Sequence, residues 1–131
     1  MRILALDVGE KRIGLAFSDE LGIISTPYGF LDREGAIVKI VELVNNKEVG
    51  LVVIGLPHLP SGDLGSQSED ILVFAKELEE LIRGKIEFED ESLSSVEAEE
   101  RLKKRKKPYS KGDIDAYSAT IILENYLDRI R

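Results

Sequence analysis

The chain has 131 residues, 43% apolar and 33% charged, with 11 glycines and 4 prolines; this composition fits one globular domain over 1–131 and excludes a disordered tail or a fibre. Its formal charge of -7, from 18 basic against 25 acidic residues, excludes a protein that coats nucleic acid with its whole surface. Cysteine is absent and His58 is the single histidine, so disulfides, zinc–thiolate sites and a cysteine nucleophile are excluded, and any chemistry falls to carboxylates, hydroxyls, lysines and arginines.

The apolar run 3–6 closes on Asp7, Val8 and Gly9 and reads as a strand and a turn, too short for a secretory signal. No later run approaches the ~18 apolar residues that span a bilayer, so the expectation is a cytoplasmic protein without membrane contact. Residues 12–18, with Ile13, Leu15 and Phe17 at period two, and residues 22–30 predict two more strands in an antiparallel meander. Ile37, Ile40, Val41 and Val44 recur at helical spacing and predict a helix over 36–44, with Asp32 as its cap. Residues 50–55 are apolar on both faces, as a central strand between parallel neighbours requires.

Pro57 and Pro60 open a loop that runs through Gly65. Ser66 and Glu69 form a predicted capping box for a second helix, whose apolar stripe is Ile71, Leu72, Ala75, Leu78, Leu81 and Ile82 and which Gly84 ends. A short fifth strand, 86–88, leads into Asp90 and Glu91. Ser94 and Glu97 then predict another capping box, for a polar helix that dissolves into the run 101–107, where six of seven residues are basic. Pro108 ends that helix, Lys111 and Gly112 read as loop, and Asp113 is the expected cap of a final helix with a core face of Ile114, Tyr117, Ile121 and Leu127.

This order of elements makes a mixed sheet in which strands one, four and five are parallel. Ligands in such sheets gather beyond the carboxyl ends of the parallel strands, and Asp7, the Gly55-Leu56-Pro57 turn and Asp90-Glu91 all fall on that edge. Asp115, expected in the first turn of the last helix, is a third carboxylate there. Taken singly, each reads as a turn residue, a solvated acid or a helix-dipole partner. Together they repel, which raises a pKa unless a cation neutralises them. Hard divalent ions, Mg²⁺ or Mn²⁺, suit oxygen ligands and support phosphodiester hydrolysis.

The sequence 3–19, with Asp7, Gly9, Lys11-Arg12-Ile13-Gly14 and Ser18-Asp19 at fixed spacing, followed by Gly55-Leu56-Pro57, Asp90-Glu91-Ser92-Leu93-Ser94-Ser95 and Asp115-Ala116-Tyr117-Ser118-Ala119, resembles the successive motifs of the YqgF/RuvX family over nearly the whole chain. The resemblance implies an α/β, RNase H-like fold with a five-stranded mixed sheet in the order 3-2-1-4-5 and helices on both faces. It also implies kinship with Holliday-junction resolvases and a cytoplasmic nuclease that matures pre-16S ribosomal RNA. The family's acidic set falls on Asp7, Glu91 and Asp115, as catalytic residues and ligands of Mg²⁺ or Mn²⁺. The chain departs from the family at Ser92, where an arginine is usual, so a bidentate guanidinium is lost, while Ser94 and Ser95 keep hydroxyls that can bond a phosphate. Strand four carries no acid, so Glu91 has to reach Asp7 across two strand spacings of about 4.8 Å.

Lys11 and Arg12, beside the acids, are candidate phosphate ligands, and Lys103, Lys104, Arg105, Lys106 and Lys107 are candidates for the nucleic-acid backbone. Tyr109 can stack on a base, and Gly62, Ser66 and Gln67 can wall the cleft; His58 is given no part in the chemistry. The expected partner is a ribosomal RNA precursor, with branched DNA as the alternative substrate and a monomer or weak homodimer as the assembly. Two other classes compete: a non-catalytic RNA- or partner-binding module, and a nucleotide-binding relative of the actin and sugar-kinase superfamily, which the chain's length disfavours.

Overall fold

A computed structural model of the chain describes residues 1–91 and 94–131; Ser92, with its missing guanidinium, lies outside the described residues. Strand β1 (Arg2–Val8) pairs antiparallel with β2 (Arg12–Ser18), and β2 antiparallel with β3 (Ser25–Asp32). On the other side β4 (Val49–Leu56) lies parallel to β1, and β5 (Lys85–Asp90) parallel to β4. The order β3-β2-β1-β4-β5 and the parallel set of strands one, four and five are as expected.

Strand alternation splits the core into two layers. Leu4, Leu6 and Val8 of β1 and Val52, Ile54 and Leu56 of β4 pack with Ile40 and Val44 of α1 (Ala36–Asn46) and Ile71, Phe74 and Leu78 of α2 (Ser66–Glu79). The odd-numbered Ile3 and Ala5, with Leu51 and Val53, pack instead with Ala119, Ile122, Leu123, Tyr126 and Leu127 of α4 (Lys111–Ile130). Helix α3 (Ser94–Lys104) packs against α4. Each fully buried leucine or isoleucine stabilises the fold by roughly 1.5–3 kcal/mol, and a one-residue slip of β1 would expose one layer, so the face of β1 is fixed. That fixes Asp7, next in the odd series, toward α4.

Glycines flank Asp7 on the same face. Gly14 is its register partner on β2, and Gly55 on β4 follows Ile54, the partner of Leu6. A Cβ at Gly14 would lie 1.9 Å from the Asp115 carbonyl oxygen. At Gly55 it would lie 2.5 Å from Ile122 Cδ1 and 3.4 Å from Glu91 Cβ. The helix carrying one acid and the strand end carrying another therefore close in on Asp7 from both sides, through space that any side chain would fill.

Several boundaries differ from expectation. Strand three begins at Ser25 rather than residue 22, because the Asp19 carboxylate accepts the N–H groups of Ile23 (2.7 Å) and Ile24 (2.9 Å) and folds 19–24 into a turn. Those two bonds also hold the Asp19 carboxyl below its usual range. Asp32 does not cap α1: it pairs with Arg12 in the sheet, and the cap is Gly35 in a left-handed conformation (φ 74°). Ser66 is the first helical residue of α2, its cap being Gly65 without a side-chain bond; the helix ends at Glu79, ahead of Gly84, and Leu81 lies exposed beyond that end. Lys111 and Gly112 are helical, and the cap of α4 is Ser110. Its hydroxyl accepts the Asp113 N–H at 3.1 Å while the Asp113 carboxylate accepts the Ser110 N–H at 2.9 Å, so Asp113 is the far half of the capping box. Ile114 and Tyr117 are only half-buried; Ala116, Ala119, Ile122 and Leu123 face the sheet more fully. Among the described residues no helix is long and apolar enough to cross a membrane.

Gly14→Ala is expected to lower stability by about 3 kcal/mol or more, because the backbone of α4 rather than a flexible side chain has to give way. Gly35→Ala, in open space, is expected to cost only the left-handed backbone penalty of about 1–2 kcal/mol. Chemical denaturation of the two variants checks the ranking; equal losses would mean that α4 does not rest on β2.

Candidate active site

Asp7, Glu91 and Asp115 lie near one another at the carboxyl edge of the parallel strands. Asp7 is held by the buried strand β1 and its carboxyl is pushed up to about 7, first by burial, then by the negative charges of Glu91 and Asp115. Both of those acids are therefore close enough to act on it.

Glu91 follows β5, and its backbone N–H donates to the Leu56 carbonyl (3.3 Å), tying it to the end of β4. Its Oε1 accepts the Ser94 N–H at 3.2 Å and also the Ser94 hydroxyl. That hydroxyl, expected to bond phosphate or to cap α3, is instead spent on Glu91. The early start of α4 puts Asp115 in the second turn, beyond the strongest reach of the helix dipole. A guanidinium replaces that influence: Arg12 Nε donates to Asp115 Oδ2 at 2.7 Å, both side chains being partly buried.

With all three acids ionised, Arg12 leaves two net negative charges in the group. Oxygen donors in that charge state suit a divalent cation. Arg12 and Ser94 hold two of the acids apart from a ligand set, and among the described residues no three acids already converge to hold an ion.

Arg12 is placed by a clamp that sequence reasoning missed. The Gly9 N–H donates to the Arg12 carbonyl at 2.9 Å, closing the β1–β2 turn. Arg33 then donates its backbone N–H to the Lys11 carbonyl (2.8 Å) and Nη1 to the Gly9 carbonyl (2.9 Å). The same guanidinium reaches the Asp70 carboxylate at 3.1 and 3.2 Å and lies 4.9 Å over the Phe74 ring of α2. No local pattern around residue 33 reveals partners on two other elements.

Of the candidate cations, Lys11, Lys103, Lys104, Arg105, Lys106 and Lys107 are exposed, and Ser95 is exposed on α3. Arg105 lies 5.5 Å over the Tyr117 ring, bringing the basic run beside α4 two residues from Asp115. Tyr109 donates its hydroxyl to Glu99 at 2.9 Å. His58, given no part by the sequence, approaches Asp90 at 3.3 Å in a cleft that Glu91 also lines.

The chain matches the family described as RuvX, Holliday junction resolvase, over residues 1–129. A relative from Synechocystis sp., named "Putative pre-16S rRNA nuclease", is 44% identical over 95% of this chain and 86% of its own length. Relatives of the same name from Crocosphaera subtropica and a Sulfurihydrogenibium species are 44% and 42% identical, each over 98% of this chain, and over 93% and 91% of their own lengths. The fold is similar to that of Thermus thermophilus RuvC, solved with a Holliday junction substrate, at a TM-score of 0.56 and 16% identity over 98% of this chain and 96% of that one. It is equally similar to the fowlpox virus Holliday junction resolvase, at a TM-score of 0.56 and 14% identity over 98% and 99% of the two chains. The architecture is thus the RNase H-like one of the RuvC resolvases.

A carboxyl raised from 3.8 to about 7 binds a proton in the folded chain that the unfolded chain has released. Its contribution therefore lowers stability as pH rises from about 4 to about 7 and levels off above. Asp7→Asn removes that slope: the variant is expected to be more stable than the parent at pH 8, by an amount on the order of a few kcal/mol, and equal to it near pH 4. Denaturant titrations of both proteins across that range check the sign; parallel curves would mean that the Asp7 carboxyl is not raised in the folded chain.

Proposed function

Because the chain belongs to the RuvX family of Holliday junction resolvases, we propose that it is a divalent-metal-dependent nuclease that cleaves phosphodiester bonds in the precursor of 16S ribosomal RNA, in the cytoplasm. The observation that carries this reading is the grouping of Asp7, Glu91 and Asp115 at one strand edge: burial first, and then the negative charges of the other two acids, push the Asp7 carboxyl up to about 7. A structural turn residue has no need of two further acids, one just after β5 and one on α4, close enough to act on it. Asp7, Glu91 and Asp115 would hold Mg²⁺ or Mn²⁺. When bound, the ion supplies the positive charge that activates water and stabilises the leaving oxygen.

The protein's own groups do the rest. Asp7 is presented on a strand that cannot turn it away, and it gives up its proton as positive charge arrives. Arg12 orients Asp115 through a charge-assisted hydrogen bond, and Ser94 orients Glu91 by donating two hydrogen bonds to one oxygen. Lys11 and the run from Lys103 to Lys107 take the backbone phosphates without reading sequence. RNA is the favoured substrate because the one dense basic run is a small patch on a chain of net charge -7, which suits one strand better than four duplex arms. The names of the relatives point the same way.

With Mn²⁺ and a 16S precursor transcript, Asp7→Asn, Glu91→Gln and Asp115→Asn are each expected to reduce cleavage on the order of 10³-fold or more, and EDTA to abolish it reversibly. Asp7→Asn should stay folded, since an amide mimics the protonated acid that this site favours. Cleavage retained by Asp7→Asn would end the nuclease reading. Cleavage of a four-way DNA junction with the transcript left intact would transfer the substrate to DNA.

A further inference from the structure

Beside the three acids, a cleft of about 640 Å³ is lined among the described residues by His58, Leu59, Pro60, Gly62, Asp90 and Glu91. Its chemistry is the opposite of a phosphate site. Two of the six residues are carboxylates, none is lysine or arginine, and the imidazole already faces Asp90 Oδ1 at 3.3 Å. A phosphodiester placed there would meet like charge with nothing to neutralise it. A neutral, flat ligand meets no such barrier. Leu59 and Pro60 offer an apolar wall, and His58 offers a ring that can stack. Gly62 carries no side chain, and one added there would meet nothing within 4 Å, so the mouth stays open on that side. The Asp90 side chain is 87% exposed and supplies a hydrogen-bond acceptor.

We propose that this cleft takes an unpaired nucleobase next to the scissile phosphodiester and that Asp90 selects a base carrying an amino group over uracil. The inference deepens the nuclease reading and rests on it for the identity of the ligand as a nucleic acid. Cytosine, adenine and guanine each present an exocyclic amine that donates to a carboxylate, as in the pairing of acidic side chains with the cytosine N4 amine. Uracil presents carbonyl oxygens on either side of its single N–H, and these face a carboxylate unfavourably. Glu91 connects the two compartments: it lines the cleft while its charge reaches Asp7. A strand whose base enters the cleft thus delivers its backbone to the acids, and single-stranded or looped-out nucleotides are the ones that can do so. Asp90 and His58 act here as specificity residues and hold no part of the reacting group.

The test uses the full chain carrying Asp7→Asn, so that binding is read without cleavage, in low salt with EDTA so that no cation bridges carboxylate and oligonucleotide. Fluorescence anisotropy is recorded for a ten-residue oligocytidylate and the matching oligouridylate, two pyrimidine strands that differ at the edge in question. Oligocytidylate is expected to bind about tenfold more tightly. Adding Asp90→Ala should bring the ratio to about one, by weakening oligocytidylate relative to oligouridylate, and Asp90→Asn should weaken the preference as well. Equal affinities in the Asp7→Asn protein, no binding of either strand, or a preference that survives Asp90→Ala would each overturn the proposal. The outcomes are separable from those of the nuclease reading: loss of cleavage leaves the binding ratio standing, and a ratio of one leaves cleavage standing.

Discussion

The backbone of a helix lies against a strand that carries no side chain at the point of contact, and the position of every acid follows from that contact. The carbonyl of Asp115 occupies the place that a Cβ on Gly14 would need, so α4 comes down onto β2 directly beside Asp7. Gly55 does the same on the other flank, leaving room for Ile122 and for Glu91. The electrostatic result is unfavourable, since three negative groups share one partly dry corner. It is tolerated because the apolar layer beneath is larger: Ile122, Leu123 and Leu127 alone contribute roughly 1.5–3 kcal/mol each, against a penalty of a few kcal/mol at Asp7. Packing wins, and the strain is concentrated in one ionisable group.

Arg12 and Ser94 set how far that strain goes. Without the guanidinium, Asp115 would add its full charge to the corner; with it, part of the repulsion is cancelled locally. Arg12 owes its place to a turn that Arg33 fastens to α2, so an ion pair near the acids is supported by a second one on the opposite layer of the sheet. The candidate site thus draws on both layers of the molecule.

Much of this was legible in the residues. The apolar run 3–6 closing on Asp7 marks a strand with an acid at its end, the uninterrupted apolar run of β4 marks a central parallel strand, and both held in the structure. Helix starts were less legible, because several side chains compete for each role. Ser110 and Asp113 can each cap a helix, and reciprocal bonding decided between them; Asp32 can cap, yet the sheet claimed its backbone; the Ser94 hydroxyl found a carboxylate three residues earlier. Arg33 and His58 went unread for a different reason. Their partners are brought near by tertiary folding, as Arg12 and Asp115 are across 103 residues, and no local spacing encodes such a meeting.

The bonds from Arg12 to Asp115 and from Ser94 to Glu91 also bear on how the corner balances its charge with no ion bound. Many small metalloproteins collapse on chelation because nothing else quiets their ligands. Here two of the three acids have internal partners and the third can take up a proton, so the corner has its own way of balancing charge. On the proposed reading, binding of a divalent ion would be an exchange of partners within a finished scaffold rather than a step in its assembly.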